Sequence, residues 1–224
     1  MTTRRHTSVV VAVSAGALGA AVVASAASLG VLPARLTSHD ASASVVATTC
    51  TLSAPVADAY VDGGLVLTNS NFGSSPDLRV RSSTLGNRRS FVRFDLSSCA
   101  IPATARVTQA AVALYLSQAP GSGRTYEVRR LTASWVEGTV TFANQPAAAG
   151  AATSTTSTGT TSGVTLSWPV TSDAQAFVAG TATNNGWRIV DSAEGALFAV
   201  DSTFGARERA TANERPTLVV TYYP

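Results

Sequence analysis

From residue 51 onward the apolar residues fall in short runs, separated by clusters of Gly, Pro, Asn and Ser, and inside the runs they alternate with a period of two. A period of two places successive side chains on opposite faces of an extended strand, so this pattern excludes a helical fold. Leu78-Arg79-Val80-Arg81 and Ser90-Phe91-Val92-Arg93-Phe94-Asp95-Leu96 show it most clearly. The alternation predicts Leu78, Val80, Val92, Phe94 and Leu96 pointing inward, with Arg79, Arg81, Phe91 and Arg93 on the other face. The longest strand is expected over residues 106–118, with Val112, Leu114 and Leu116 on one face. Further strands are expected over 125–131, 164–170, 186–191, 196–200 and 217–223, giving about nine in all. A short helix is expected to run to Val178, capped by Thr171 or Ser172 and helped by Asp173 at its N-terminus. Residues 147–163, a tract of Ala, Thr, Ser and Gly with nothing to bury, read as a flexible low-complexity loop. The expected fold is therefore all-β: a two-sheet antiparallel β-sandwich, jelly-roll-like, with one short helix.

The first 43 residues read differently. Arg4 and Arg5 precede a run of Val, Ala, Ser, Gly and Leu that continues to about Leu32, the order of a secretory signal. Small-residue cleavage sites occur at Ala24-Ser25-Ala26 and Ala41-Ser42-Ala43, and the second is favoured because the chain stays small and apolar almost up to it. Residues 1–43 are thus expected to be an export signal and 44–224 one β-sandwich domain. The stretch is also about long enough to span a bilayer, so an uncleaved membrane anchor is the alternative. A twin-arginine signal fits poorly after His6. The expected location is secreted or extracellular, with cell-surface association an open variant.

Composition narrows the chemistry. His6 and His39 are the only histidines and lysine is absent, so the domain from Ser44 has neither. It therefore cannot build a Ser-His-Asp triad, a Cys-His pair, a Schiff-base lysine or a histidine zinc site. All 16 basic residues are arginine, and removal of the leader leaves 13 against 12 acids. Near-neutrality argues against nucleic acid as a partner. Cys50 and Cys99, the two cysteines, lie in the exported part, where a disulfide is the simplest reading and two buried thiols the alternative.

Several residues resemble a known family. Ala57-Asp58-Ala59-Tyr60-Val61, the segment from Arg89 to Ser98 followed by Ile101-Pro102, and Trp135-Val136-Glu137-Gly138 occur in order. Asn144-Gln145-Pro146, Gly186-Trp187-Arg188-Ile189 and Arg215-Pro216-Thr217-Leu218 follow them. Together they resemble DNRLRE-type, disaggregatase-related domains, which are grouped with carbohydrate-binding module family 96. The resemblance covers nearly all of the mature chain. It implies a jelly-roll-like sandwich, extracellular placement and, for some members, binding of acidic polysaccharide such as alginate. Phe142 departs from it, standing where a Trp is common. Phe204-Gly205-Ala206-Arg207-Glu208 is a drifted form of the family's Phe-Ala-Ser-Arg-Glu.

Candidate ligand-binding residues follow from these patterns. Arg79, Arg81 and Arg93 share the outward face of two strands, and planar guanidinium groups match carboxylates in bidentate fashion. They would grip successive uronates, unless acids such as Asp77 and Asp95 neutralise them. Arg188 and Arg207 are weaker candidates. Trp135, Trp168 and Trp187 either stack on sugar rings or fill the core. Asp62, Asn69, Asn71 and Asp77 form a weak calcium candidate in a Gly-rich segment, where ordinary turn chemistry explains them equally well. No other cofactor is expected. Glu127, Glu137, Asp191 and Glu194 are the carboxylates that acid–base cleavage of a glycoside would need, but no spacing pairs any two. The expected function is a non-catalytic module for acidic polysaccharide. The alternatives are a structural or adhesive surface domain with a protein partner and, last, a polysaccharide-cleaving enzyme.

Overall fold

The computed structural model describes residues 46–224, so the expected export signal and its cleavage sites lie outside the described residues. The alternation seen in the sequence resolves into eleven strands. They are β1 (Thr48–Leu52), β2 (Ala57–Asp62), β3 (Asp77–Ser82), β4 (Arg88–Arg93), β5 (Arg106–Gln118) and β6 (Arg124–Arg130), then β7 (Ser154–Thr158), β8 (Val164–Pro169), β9 (Trp187–Asp191), β10 (Val200–Gly205) and β11 (Thr217–Tyr223). All pair antiparallel in the order β1-β11-β5-β10-β3-β4-β9-β6-β7, with β2 added to β4 and β8 added to β5. Among the described residues, the ladder between β3 and β4 has the single pair Arg81↔Arg88, with the Ser90 hydroxyl donating to the Arg79 carbonyl beside it. Leu78, Val112, Leu114, Phe204 and Leu218 from one side of that joint share a single buried cluster with Val92, Tyr126, Trp187 and Ile189 from the other. The sheet curls there, and its two halves face each other as an all-β sandwich. Among the described residues, no helix is long and apolar enough to cross a membrane.

A second cluster lies on the outer side of β2 and β4. It consists of Ala57, Ala59, Val61, Phe91, Leu131, Trp135 and Val140, with Phe142 packed against it. Phe91 does point away from Val92, as the alternation requires, but it meets the segment after β6 rather than solvent. Because both faces of β2 are covered, all six of its residues are buried. The Trp135 indole N–H donates to the Asn185 carbonyl at 2.9 Å and fixes the covering segment to the loop before β9.

Cys50 and Cys99 are disulfide-bonded, tying β1 to the short 3-10 turn after β4. Closing a loop of this length removes unfolded-state entropy worth about 4 kcal/mol in the chain-entropy model.

Three expectations are corrected. The tract over 147–163 contains β7, which pairs with β6 from Arg124↔Thr158 to Val128↔Ser154. Its residues are all Ser and Thr, so backbone pairing forms it and no apolar periodicity announces it. The strand expected at 196–200 lies further on, at β10, leaving Leu197 and Phe198 exposed in the preceding loop. The helix α1 (Thr171–Val178) begins after Val170 with no side-chain cap. Thr171 Oγ1 instead accepts the Ala110 N–H at 3.0 Å, and Asp173 turns inward to accept from the Trp187 indole at 2.9 Å.

Candidate functional site

Two surfaces concentrate the polar chemistry. The first is built where β2 ends. The Asp62 carboxylate, 1 % exposed, accepts from Gly64 N at 2.9 Å, Arg81 Nη2 at 3.1 Å and Arg88 Nε at 2.7 Å. Arg81 Nε also donates to the Gly86 carbonyl, and Arg88 Nη1 to Asp201. The loop after β2 and the β3–β4 turn therefore close on one buried ion cluster. The two loops touch through backbone, since a Cβ on Gly86 (φ +131°) would lie 2.4 Å from Gly64 N. Between them opens a cleft of about 530 Å³, lined among others by Asp62, Arg81, Arg88, Asn87 and Phe142. Leu65, Val66 and Leu85 stand at its lips.

The second surface is the set of partly exposed arginines on the outer side of β4, β9 and β6, beside the segment that covers Phe91. Phe91 pairs with Arg188 across β4 and β9, and Arg129 with Arg188 across β6 and β9. Arg89 is held by Glu194 (2.8 and 2.6 Å) and Gln145 (2.9 Å), with its guanidinium 5.1 Å from the centre of the Phe142 ring. Arg129 is held by Glu127 at 2.8 and 2.6 Å. Arg188 is different: it is half-buried, forms no ion pair among the described residues, and its buried Nε has no hydrogen-bond partner. Burial and then the neighbouring charge of Arg89 lower its pKa from the ordinary arginine value. Arg93, two residues from Phe91 on the same face, likewise has no carboxylate partner among the described residues. It packs its guanidinium over Trp135, 5.8 Å from the ring centre.

The other sequence candidates are placed as follows. Arg79 pairs with Asp77 at 3.6 Å and lies over the Tyr60 ring, its Nε buried without a partner. Arg81 is absorbed by Asp62, and Arg207 binds Glu137 and Glu208. Arg79, Arg81 and Arg93 therefore do not form one row. Trp187 and Trp168 are fully buried and Trp135 nearly so, which places all three in the clusters and gives Trp187 no face to a sugar. The four calcium candidates separate: Asp62 and Asp77 hold arginines, Asn71 holds backbone groups of Glu137, Val140 and Gly73, and Asn69 is exposed. Glu127, Glu137, Asp191 and Glu194 each hold an arginine.

One corner was not visible in the sequence as a unit. Asp58, Glu137 and Glu208 each place a carboxylate oxygen within 4.8 Å of the others. Arg207 sits among them: its backbone N–H donates to Asp58 at 2.8 Å, and its side chain reaches Glu137 at 2.5 Å and Glu208 at 2.8 Å. Asp58 N in turn donates to Glu137 at 2.8 Å. Burial above all, and then the neighbouring glutamates against the pull of Arg207, push the Asp58 pKa up to about 8. These residues come from three of the motifs that carry the family resemblance, so those motifs meet at one ion cluster. Their wide spacing in sequence gave no signal that they meet.

No curated protein matches the chain. The sequence model of carbohydrate-binding module family 96 matches residues 49–222, from β1 to the end of β11. With the order of motifs, the antiparallel sandwich and this match in agreement, the chain belongs to carbohydrate-binding module family 96.

Proposed function

We propose that the protein is an exported, non-catalytic module that binds acidic polysaccharide through the outer face of β4, β9 and β6. The observation that carries this reading is Arg188, a half-buried guanidinium with an unpartnered Nε, flanked by Arg89 and Arg129. A buried donor left without an acceptor costs about 1–3 kcal/mol, and more when charged. The guanidinium charge itself has no carboxylate among the described residues, and a uronate carboxylate would pair with it in the forked geometry that the two groups share. Arg93, lying on Trp135 with no acid of its own among the described residues, is the second contact on that face. The Cys50–Cys99 disulfide supports export, because such bonds persist in oxidising compartments. Binding without catalysis is supported by the four candidate carboxylates, each of which is held by an arginine.

The test is retention of the protein on alginate and pectin at low and moderate salt. Arg188→Gln is expected to weaken binding about tenfold or more, the range of a charged hydrogen bond, and to flatten its salt dependence. Unchanged affinity in a folded variant removes Arg188 from the site. No retention on any polymer moves the reading to a surface domain with a protein partner.

A further inference from the structure

The cleft at the end of β2 has a composition that names its ligand chemistry. Its lips are apolar and turned to solvent: Leu65, Val66 and Leu85 are 98 %, 90 % and 82 % exposed. Single exposed apolar residues are ordinary, but three on the rim of one preformed cleft mark a contact surface. Beneath them the floor offers donors. The Asp62 carboxylate is buried and committed to Gly64, Arg81 and Arg88, so it presents no acceptor to a ligand. Nη1 of Arg81, Nη2 of Arg88 and Nδ2 of Asn87 make no hydrogen bond among the described residues. A bare sugar ring could use the hydroxyls of Ser83 and Thr84 in the lining but would leave the apolar lips of the cleft without a partner. A group with a carbonyl acceptor and a small apolar cap matches both parts of it.

We infer that this cleft binds the acyl substituents of a polysaccharide, acetyl esters or acetamides, with the carbonyl oxygen on the Arg81–Arg88 floor and the methyl against Leu85 and Val66. The inference rests on the polysaccharide reading above and gives it a second subsite. Phe142 connects the two: its ring lines the cleft, lies against Gly63 and carries the Arg89 guanidinium, next to Arg188, on its face. Phe142 is thus the residue that the cleft and the arginine face share.

Three probes test it on the whole protein: an O-acetylated polyuronate, the same polymer after alkaline deacetylation, and an oligomer of N-acetylglucosamine. The acetylated polymer is expected to bind about fourfold tighter than the deacetylated one, the factor contributed by one buried methyl group. Leu85→Ser should erase that ratio, and Arg188→Gln should weaken both polymers while preserving it. Binding of the N-acetylated oligomer that Leu85→Ser abolishes makes the acetamide the source. Equal affinity for both polymers with no binding of the oligomer overturns the inference, as does a preference that survives Leu85→Ser. If Arg188→Gln changes nothing while the Leu85-dependent preference stands, the uronate face fails and the acyl cleft does not.

Discussion

The two ends of β2 bury an aspartate each, and the protein treats them in opposite ways. Asp58 and Asp62 lie on the same strand face, four residues apart, and each is 1 % exposed. Asp62 receives two arginine side chains and a backbone N–H. Asp58 receives the backbone N–H of Arg207, while that residue's guanidinium goes to Glu137 and Glu208 instead. Strand position and burial are alike, so the difference lies wholly in which loops pack over each end. The ion cluster at Asp62 shapes a cleft, whereas the acidic corner at Asp58 holds a proton.

The largest effect is expected at the Asp62 end. Asp62→Ala strands two largely buried guanidinium groups, and breaking a buried pair from one side costs about 3–5 kcal/mol. Urea unfolding of the folded variant measures it, and a loss under about 1 kcal/mol would mean that water or Asp201 replaces the carboxylate.

Next comes pH. Asp58 has a folded pKa of about 8 against an ordinary 3.8, so between those values the folded state holds a proton that the unfolded state has released. Its contribution therefore falls as pH rises from 4 to 8, by an amount on the order of a few kcal/mol. Asp58→Asn should remove this slope and leave the variant more stable than the parent at pH 8.5. Parallel urea midpoints for the two proteins at pH 5 and 8.5 would dispose of the buried proton.

The smallest effect distinguishes the arginines. Arg207→Met, removing two partly exposed ion pairs, should cost about 1 kcal/mol. Arg88→Met, which takes one of its two arginines from buried Asp62, should cost several times more by the same unfolding assay. Equal losses would erase the contrast between the two ends.

Much of the sandwich is legible in the sequence because alternation reports one-sided burial directly. The bounds of β5 and β11 follow from it, as do the inward positions of Leu78, Val80 and Val92. Where a strand is buried on both faces or on neither, that signal vanishes. Phe91 is the first case, covered by the segment after β6, and β7 the second, held by backbone pairing and by the hydroxyls of Thr156 and Ser157. The candidate site was legible only as a set of arginines. Arg188 and Arg79 look alike in sequence, yet among the described residues one lacks a carboxylate and the other pairs with Asp77.

The sequence by itself determined the all-β class and the kinds of chemistry that the residues from Ser44 onward lack, and it made a disulfide the simplest reading of the two cysteines. These follow from residue identity and local periodicity. Only the tertiary structure decided which arginines are neutralised, that Trp187 belongs to the core, and that two loops enclose a cleft on Asp62. An ion pair is a property of distance between residues far apart in the chain, and no local pattern encodes it.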